Sequence, residues 1–193
     1  MRINGSVLAV VLLCAGPAMA EGPPPKVNTP EGRTAWEGYS QTLLIRLFPD
    51  HAQALGNRPV VVVDSGEVPS AIRRPRFMVV SFSLIDLAED EAEYASILAH
   101  EYSHELRQHV DTNLWSDLFV WAGHDEVLLE KQETEADADS LVVLRRAGFD
   151  ACAAVRMLGH FIDGYRMREN PTRSAWAIVL RREQALIRDC SPK

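Results

Sequence analysis

Apolar residues recur with helical spacing along most of the chain, and two short stretches break that spacing. The spacing predicts helices at about 36–48, 90–109, 126–146, 151–166 and 174–187. The two exceptions are residues 60–63, a run of four valines after Pro59, and an apolar run at 77–82. Both runs are short and rich in β-branched or aromatic residues, which is typical of buried strands. Strands followed mainly by helices predict an α+β fold.

The strongest of the predicted helices begins at Asp90. Asp90 and Glu93 have the spacing of a capping box, in which side chains at the start of a helix accept hydrogen bonds from backbone N–H groups. Alanine and aliphatic residues continue the helix to about His109. The next helix is expected to end before Gly148, because glycine favours the position just after a helix. Between the two helices, residues 111–123 are less regular and predict a short helix or a packed loop.

The first twenty residues have the pattern of an export signal. Arg2 precedes an apolar run at 7–13, and Pro17 and an A-x-A sequence at 18–20 follow. The apolar run is too short to cross a membrane. We therefore expect cleavage of a signal peptide after Ala20 and a periplasmic or secreted protein.

The chain after this signal peptide has the length of one domain. Its prolines predict a flexible lead-in at 21–35, which leaves a single domain at 36–193. No later segment approaches the roughly 20 apolar residues of a membrane helix, so no membrane span is expected in the mature chain. The mature chain keeps Cys152 and Cys190, which form a candidate disulfide in an oxidising compartment; two reduced thiols are the alternative.

The chain is acidic, with a formal net charge of −7 at pH 7. It therefore lacks the basic surface that nucleic-acid binding requires, and no nucleic-acid partner is expected. One small basic cluster interrupts this pattern and is expected to be a solvated turn; it consists of Arg73, Arg74 and Arg76.

Residues 100–104 have the sequence H-E-Y-S-H within the strongest predicted helix. Residues four apart share one helix face, so the imidazoles of His100 and His104 can converge on one ion. Glu101 lies one step around the helix, where it can reach a water on that ion without ligating it. The pattern predicts a zinc site rather than a solvated helix face. His109 follows only five residues later and is expected to face elsewhere.

A catalytic zinc needs three protein ligands and an open fourth position, and the third ligand is expected in the acidic stretch at 130–139. This stretch offers two pairs of carboxylates with i, i+4 spacing, Glu133 with Asp137 and Glu135 with Asp139. In either pair, one carboxylate can ligate the metal while the other accepts a hydrogen bond from a ligand histidine. Glu133 and Glu135 point about 200° apart on a helix, so they cannot both face the metal. Geometry alone leaves the two pairs level.

The motifs resemble those of the M48 zinc metallopeptidases, the family of the HtpX- and Ste24-like enzymes and their soluble exported relatives. The similar segments are H-E-Y-S-H at 100–104, Q-E-T-E-A-D at 132–137 and R-A-G-F-D at 146–150. The resemblance implies that Glu133 is the third zinc ligand and that Asp137 lies behind a ligand histidine. It also implies that Glu101 is the general base that activates the zinc-bound water. The implied fold is a mostly helical, zincin-like (gluzincin) domain whose small sheet has an edge strand before the H-E-x-x-H helix.

The function implied by this resemblance is that of an endopeptidase with one zinc ion per chain. Its substrates would be exported or unfolded envelope proteins, and the polypeptide would lie extended along the strand near Phe77–Ser83. The alternative is a zinc-bound periplasmic chaperone or assembly factor with little proteolysis. Glu101 favours the peptidase, because a purely structural zinc site does not require that carboxylate.

Two further features bear on how closely the family pattern applies. Soluble family members often carry a histidine where this chain has Asn170. The donor that would stabilise a developing oxyanion is not identified by any motif. The candidates, chosen because they follow the metal-binding helices, are His160, Tyr165 and Arg166.

Overall fold

The computed structural model describes residues 22–64, 66, 69–74, 76–109, 126–166 and 173–191 of the 193-residue chain. The predicted signal peptide at 1–20, the less regular segment at 111–123 and Asn170 lie outside these residues.

Helices dominate the described residues, and a small sheet precedes most of them, as the α+β prediction requires. The order is α1 (Pro30–Leu47), α2 (Ala52–Gly56), β1 (Val60–Val63), β2 (Ala71–Arg73), β3 (Met78–Ser81), α3 (Phe82–Leu87), α4 (Glu91–Leu106), α5 (Glu126–Arg146), α6 (Ala153–Arg166) and α7 (Arg173–Cys190). A 3-10 turn at Pro49–His51 joins α1 to α2.

Helix α1 begins six residues before the predicted start at residue 36. The side chain of Thr29 caps the helix by accepting a hydrogen bond from the backbone N–H of Gly32 at 3.1 Å. Pro30 follows at the first helical position, where its missing N–H costs nothing. The helix therefore starts within the predicted lead-in at 21–35, because these capping residues extend it back to Pro30.

The three strands form one sheet in the order β1-β3-β2. Strand β3 pairs in parallel with β1 and antiparallel with β2. The prediction that an edge strand precedes the motif helix is wrong, because β3 has a neighbour on both sides. Extended substrate therefore cannot pair with the strand near Phe77–Ser83. Strand β2 was missed because it has only three residues and ends in the arginine cluster that resembles a solvated turn.

Helix α4 is the central element of the fold, and every residue from Glu93 to His104 is buried. It begins as predicted, with a side-chain oxygen of Asp90 accepting a hydrogen bond from the N–H of Glu93 at 2.8 Å. Helices α1, α5 and α6 pack against it. Because the helix is enclosed, each polar side chain on it needs a partner within the protein. This requirement positions the polar residues of the H-E-x-x-H segment.

The predicted disulfide between Cys152 and Cys190 is present, with the two Cα atoms 4.9 Å apart. It joins the segment before α6 to the C-terminal end of α7, the two helices that flank the last part of the core. Among the described helices, none is both long enough and apolar enough to cross a membrane.

Candidate metal centre

Helices α4 and α5 bring His100, His104 and Glu133 together. The Nε2 atoms of the two histidines are 3.0 Å apart, because the residues lie one helical turn from each other. Glu133 approaches from α5, with its Oε2 atom 3.2 Å from His100 Nε2 and its Oε1 atom 3.4 Å from His104 Nε2. The three side chains therefore point donor atoms at one small volume, and they form a group that could hold a metal ion.

The chemistry of this group fits zinc. Two imidazole nitrogens and a carboxylate oxygen are donors that zinc accepts in catalytic sites. The residues are nearly enclosed, with His100 6% exposed, His104 7% and Glu133 1%. Among the described residues, Glu133 Oε2 has no partner with hydrogen-bond geometry, although charged groups lie close to it. A buried carboxylate oxygen left without a hydrogen bond is costly unless a cation binds it.

Asp137 lies one turn after Glu133 on the same face of α5. Its Oδ1 atom is 2.9 Å from His100 Nδ1. A hydrogen bond from Nδ1–H to the carboxylate leaves the lone pair of His100 Nε2 directed at the cluster. This is the position that the family resemblance implied for Asp137.

Arg182 of α7 completes the site, and sequence reasoning missed it. Its Nε and Nη2 atoms donate to the two carboxylate oxygens of Asp137, at 2.8 and 2.9 Å. Its Nη1 atom lies 2.9 Å from Glu133 Oε2, and the whole residue is only 3% exposed. A buried guanidinium between two buried carboxylates offsets much of their desolvation cost.

A sequence signal for Arg182 does exist in α7. Ile178 and Leu186 stand four residues before and after it, and both are buried. Arg182 therefore occupies the apolar face of an amphipathic helix, where an arginine needs an acidic partner. The preceding Arg181 faces outward and pairs with Glu130 on the surface.

The charges of the cluster determine its protonation. Burial opposes charge on His100, but the hydrogen bond to Asp137 and the contact with Glu133 raise its pKa to about 10. Burial, together with the charge of His100, lowers the pKa of His104 to about 3. Burial would raise the pKa of Glu133, yet Arg182 and His100 lower it to about 2. The same two partners hold the pKa of Asp137 well below its usual range against the effect of burial. Both carboxylates are thus ionised at neutral pH and are balanced by Arg182 and a protonated His100, so a metal ion would bind in place of the proton on His100 Nε2.

Glu101 lies on α4 between the two histidines and is 6% exposed. Burial opposes the charge of Arg182, but Asp137, Glu133 and also Glu101 raise the pKa of that guanidinium. Glu101 therefore acts electrostatically on the same buried arginine as the metal-binding group. Its position next to His100 in the sequence places it one step around the helix from the histidine face.

The structure distinguishes the two carboxylate pairs that the sequence left level. Glu133 contacts both histidine Nε2 atoms, whereas Glu135 Oε2 lies 3.2 Å from His109 Nε2. Asp139 accepts two hydrogen bonds from Arg107 at the C-terminal end of α4. Helix α5 therefore presents one pair to the candidate metal site and the other to the end of α4.

The expectations about His109 and His160 need correction. His109 does not face elsewhere: its Nδ1 atom is 2.9 Å from His104 Nδ1. The chain turns back after α4 because Gln108 adopts a left-handed backbone conformation, with φ 54°. His160 lies beside Glu93, seven residues or about 10 Å along α4 from His100, so it is not a donor at the cluster. The side chains of the other two candidates, Tyr165 and Arg166, lie outside the described part of the structure.

Residues 41–127 match the family model of Peptidase family M48. The comparison with curated proteins gives no match. The matched segment contains His100, Glu101 and His104 but ends before Glu133, so the family match does not cover the third member of the group, which the geometry of α5 brings to the histidines. This match, together with the converging H-E-x-x-H histidines, supports a metallopeptidase of the M48 type at the family level.

Proposed function

We propose that the protein is a zinc-dependent endopeptidase in which His100, His104 and Glu133 hold one zinc ion and Glu101 is the general base. The observation that carries this proposal is the convergence of both histidine Nε2 atoms with the Glu133 carboxylate, in a chain whose H-E-x-x-H segment matches the model of Peptidase family M48. A structural zinc site would close its fourth position with another cysteine or histidine. Among the described residues, the group of three contains no such fourth donor.

The residues of the chain divide the work of hydrolysis. When bound, zinc supplies Lewis acidity that polarises the scissile carbonyl and lowers the pKa of a coordinated water towards about 7. Glu101 accepts a proton from the attacking water on its carboxylate and later donates it to the leaving nitrogen. Asp137 orients His100 through Nδ1, and Arg182 holds Asp137 in place with two hydrogen bonds. Burial of the group keeps bulk water from competing for these charges.

The polypeptide substrate is proposed to lie along strand β2 rather than β3. Within the described residues β2 has β3 as its only sheet partner, so its other edge is the one at which we propose that the peptide pairs. Arg73 at the end of β2 donates a hydrogen bond to the backbone oxygen of His109 at 2.8 Å, which ties this strand to the C-terminal end of α4. An extended peptide that adds to the β2 edge would form main-chain hydrogen bonds with little demand on its side chains. Such binding suits unfolded proteins as substrates.

Export to an oxidising compartment is proposed as the setting of this activity. The Cys152–Cys190 disulfide supports it, because disulfides persist in oxidising compartments and are rare in reducing ones. Unfolded periplasmic or secreted proteins would then be the substrates that the protein meets.

The test compares cleavage of an unfolded protein by the wild type and by the Glu101→Gln variant. The amide is nearly isosteric with the carboxylate, so we expect zinc to remain and turnover to fall by about 10²–10⁴-fold. Glu130→Gln is the matched control, since Glu130 is a carboxylate on α5 that pairs with Arg181 at the surface. Equal cleavage by Glu101→Gln and wild type would remove Glu101 from the mechanism. If neither protein cleaves but both suppress aggregation, the chaperone alternative replaces the peptidase.

A further inference from the structure

Directly after α4 the polypeptide turns back towards His104. Both backbone polar groups of His109, the N–H and the carbonyl oxygen, are hydrogen-bonded there. The N–H of His109 donates to the backbone oxygen of His104 at 2.9 Å. The carbonyl oxygen of His109 accepts a hydrogen bond from Arg73 of β2 at 2.8 Å. His109 is only 8% exposed, and the left-handed conformation of Gln108 directs the chain back over the helix end. The imidazole of His109 is thus held against that of His104.

The two imidazoles meet through their Nδ1 atoms. His109 Nδ1 lies 2.9 Å from His104 Nδ1, and His109 Nε2 lies 3.2 Å from an oxygen of Glu135. Because Glu135 approaches from α5, these contacts run across the helix pair from His104 to His109 to Glu135. We call this series of contacts the relay.

Metal binding by His104 selects one arrangement of protons in this relay. His104 Nε2 must offer its lone pair to the metal, so the proton of that ring resides on Nδ1. His104 Nδ1–H then donates to His109 Nδ1, which must be the acceptor. The proton of His109 consequently resides on Nε2 and is donated to the Glu135 carboxylate. Each hydrogen-bond donor in the relay then meets one acceptor.

We propose that His109 is a positioning residue that orients His104 and fixes its tautomer for metal binding, with Glu135 as the anchor of the relay. The inference rests on the proposed zinc site. It gives the two histidine ligands different supports: His100 is held by the buried carboxylate of Asp137, and His104 by a neutral ring whose far side is anchored. Partners that hold a ligand histidine in this way commonly contribute 10- to 100-fold to metal affinity.

The test measures zinc affinity by competition with a chromophoric chelator in wild type, His109→Phe and His109→Gln proteins. Phenylalanine keeps an aromatic ring but has no hydrogen-bonding atoms. We therefore expect the dissociation constant for zinc to be 10- to 100-fold larger in this variant. Glutamine supplies an acceptor and a donor on one planar group and should recover most of the affinity. The visible absorption of the cobalt-substituted proteins should change in His109→Phe and resemble wild type in His109→Gln. His160→Phe is the matched control and should change neither measurement.

A second variant covers the case in which His109→Phe does not fold. Glu135 is about one-third exposed, and Glu135→Ala removes only the anchor of the relay. We expect it to weaken zinc binding in the same direction and by less than His109→Phe. Wild-type zinc affinity and an unchanged cobalt spectrum in His109→Phe, or unchanged affinity in Glu135→Ala if the former does not fold, would overturn the proposal. Zinc binding without proteolysis would instead remove the peptidase function and leave the relay standing.

Discussion

Helix α4 has a cluster of histidine and carboxylate side chains near each of its ends. Near the C-terminal end, His100 and His104 meet Glu133 with ligand atoms 3.0–3.4 Å apart. Near the N-terminal end, the Nε2 atom of His160 lies 3.7 Å from Glu89 and 3.6 Å from Glu93. Both clusters contain residue types that bind divalent metals and have their donor atoms close together. Residue type and proximity alone therefore do not separate a zinc site from a structural cluster.

The two clusters differ in what their buried carboxylate already binds. Glu93 accepts a hydrogen bond from Arg156 Nε at 2.9 Å on one oxygen and from the N–H of Glu89 at 2.7 Å on the other. Glu93 thus helps to cap α4 and has both oxygens occupied. Among the described residues, Glu133 Oε2 has close charged neighbours, Arg182 Nη1 at 2.9 Å and His100 Nε2 at 3.2 Å, but no contact with hydrogen-bond geometry. A carboxylate oxygen held by charge contacts of this kind can bind a metal without losing an existing hydrogen bond.

The clusters also differ in exposure to solvent. The side chain of Glu89 is 72% exposed and that of His160 is 30% exposed. In the other cluster the side chains of His100 and Glu133 are 8% and 2% exposed. Water screens the charges of the exposed N-terminal cluster. The C-terminal cluster is shielded from water, so the interactions between its charges are stronger. We therefore expect zinc at the C-terminal cluster and none at the N-terminal one.

The largest expected effect is the loss of zinc when both histidines of the C-terminal cluster are removed. The double change His100→Ala, His104→Ala leaves Glu133 as a single ligand, which cannot hold zinc against water. Elemental analysis should find one zinc per chain in the wild type and none in the double variant. His160→Ala, the matched change in the other cluster, should keep one zinc per chain. A double variant with full zinc occupancy would reverse the assignment of the two clusters.

The next effect compares the arginine of each cluster. Arg182→Met leaves Asp137 and Glu133 as uncompensated buried charges, and breaking a buried ion pair costs about 3–5 kcal/mol in the free energy of unfolding. Zinc should restore part of this loss, because the ion also neutralises Glu133. Arg156→Met should destabilise less, since Arg156 is partly exposed, and zinc should not restore the loss.

Denaturant unfolding with chelator and with excess zinc measures both parts of this prediction. If Arg182→Met unfolds at the same denaturant concentration as wild type in chelator, the buried arginine does not stabilise the metal-free site. If zinc stabilises both arginine variants equally, the two clusters do not differ in metal binding.

The smallest effect distinguishes two aspartates on α5. Asp137→Ala removes the partner of His100 Nδ1, and zinc affinity should fall roughly 10- to 100-fold. Asp139→Ala removes a surface pair with Arg107, worth at most about 1 kcal/mol of stability, and should leave zinc affinity unchanged. Chelator competition on both variants gives the comparison. Equal losses in the two variants would mean that Asp137 has no special relation to the ligand.

The sequence predicts the features whose pattern lies within a short stretch of the chain. The cap at Asp90 and the i, i+4 spacing of His100 and His104 are contained within fifteen residues of one helix. The spacing of Glu133 and Asp137 is equally local, but the sequence offers a second pair two residues later. The structure separates the pairs because packing between helices sets the rotation of α5 against α4, and no local pattern encodes that rotation.

The parts that the sequence did not predict depend on distant contacts. Strand β2 exists through its pairing with β3, although Arg73 gives it a polar end. Arg182 lies on α7, 78 residues after His104 in the sequence. The only sequence signal for its role is its place on the apolar face of that helix. His109 was expected to point away because the helix was extended through it. A left-handed Gln108 ends the helix and returns the ring to His104.

The most direct test of the central claim is the position of zinc in crystals of the zinc-loaded protein, located by anomalous diffraction at the zinc absorption edge. The account predicts a single peak within about 2.0–2.2 Å of His100 Nε2, His104 Nε2 and a Glu133 oxygen. A peak beside His160, or zinc bound by Glu135 with Glu133 turned away, would contradict it.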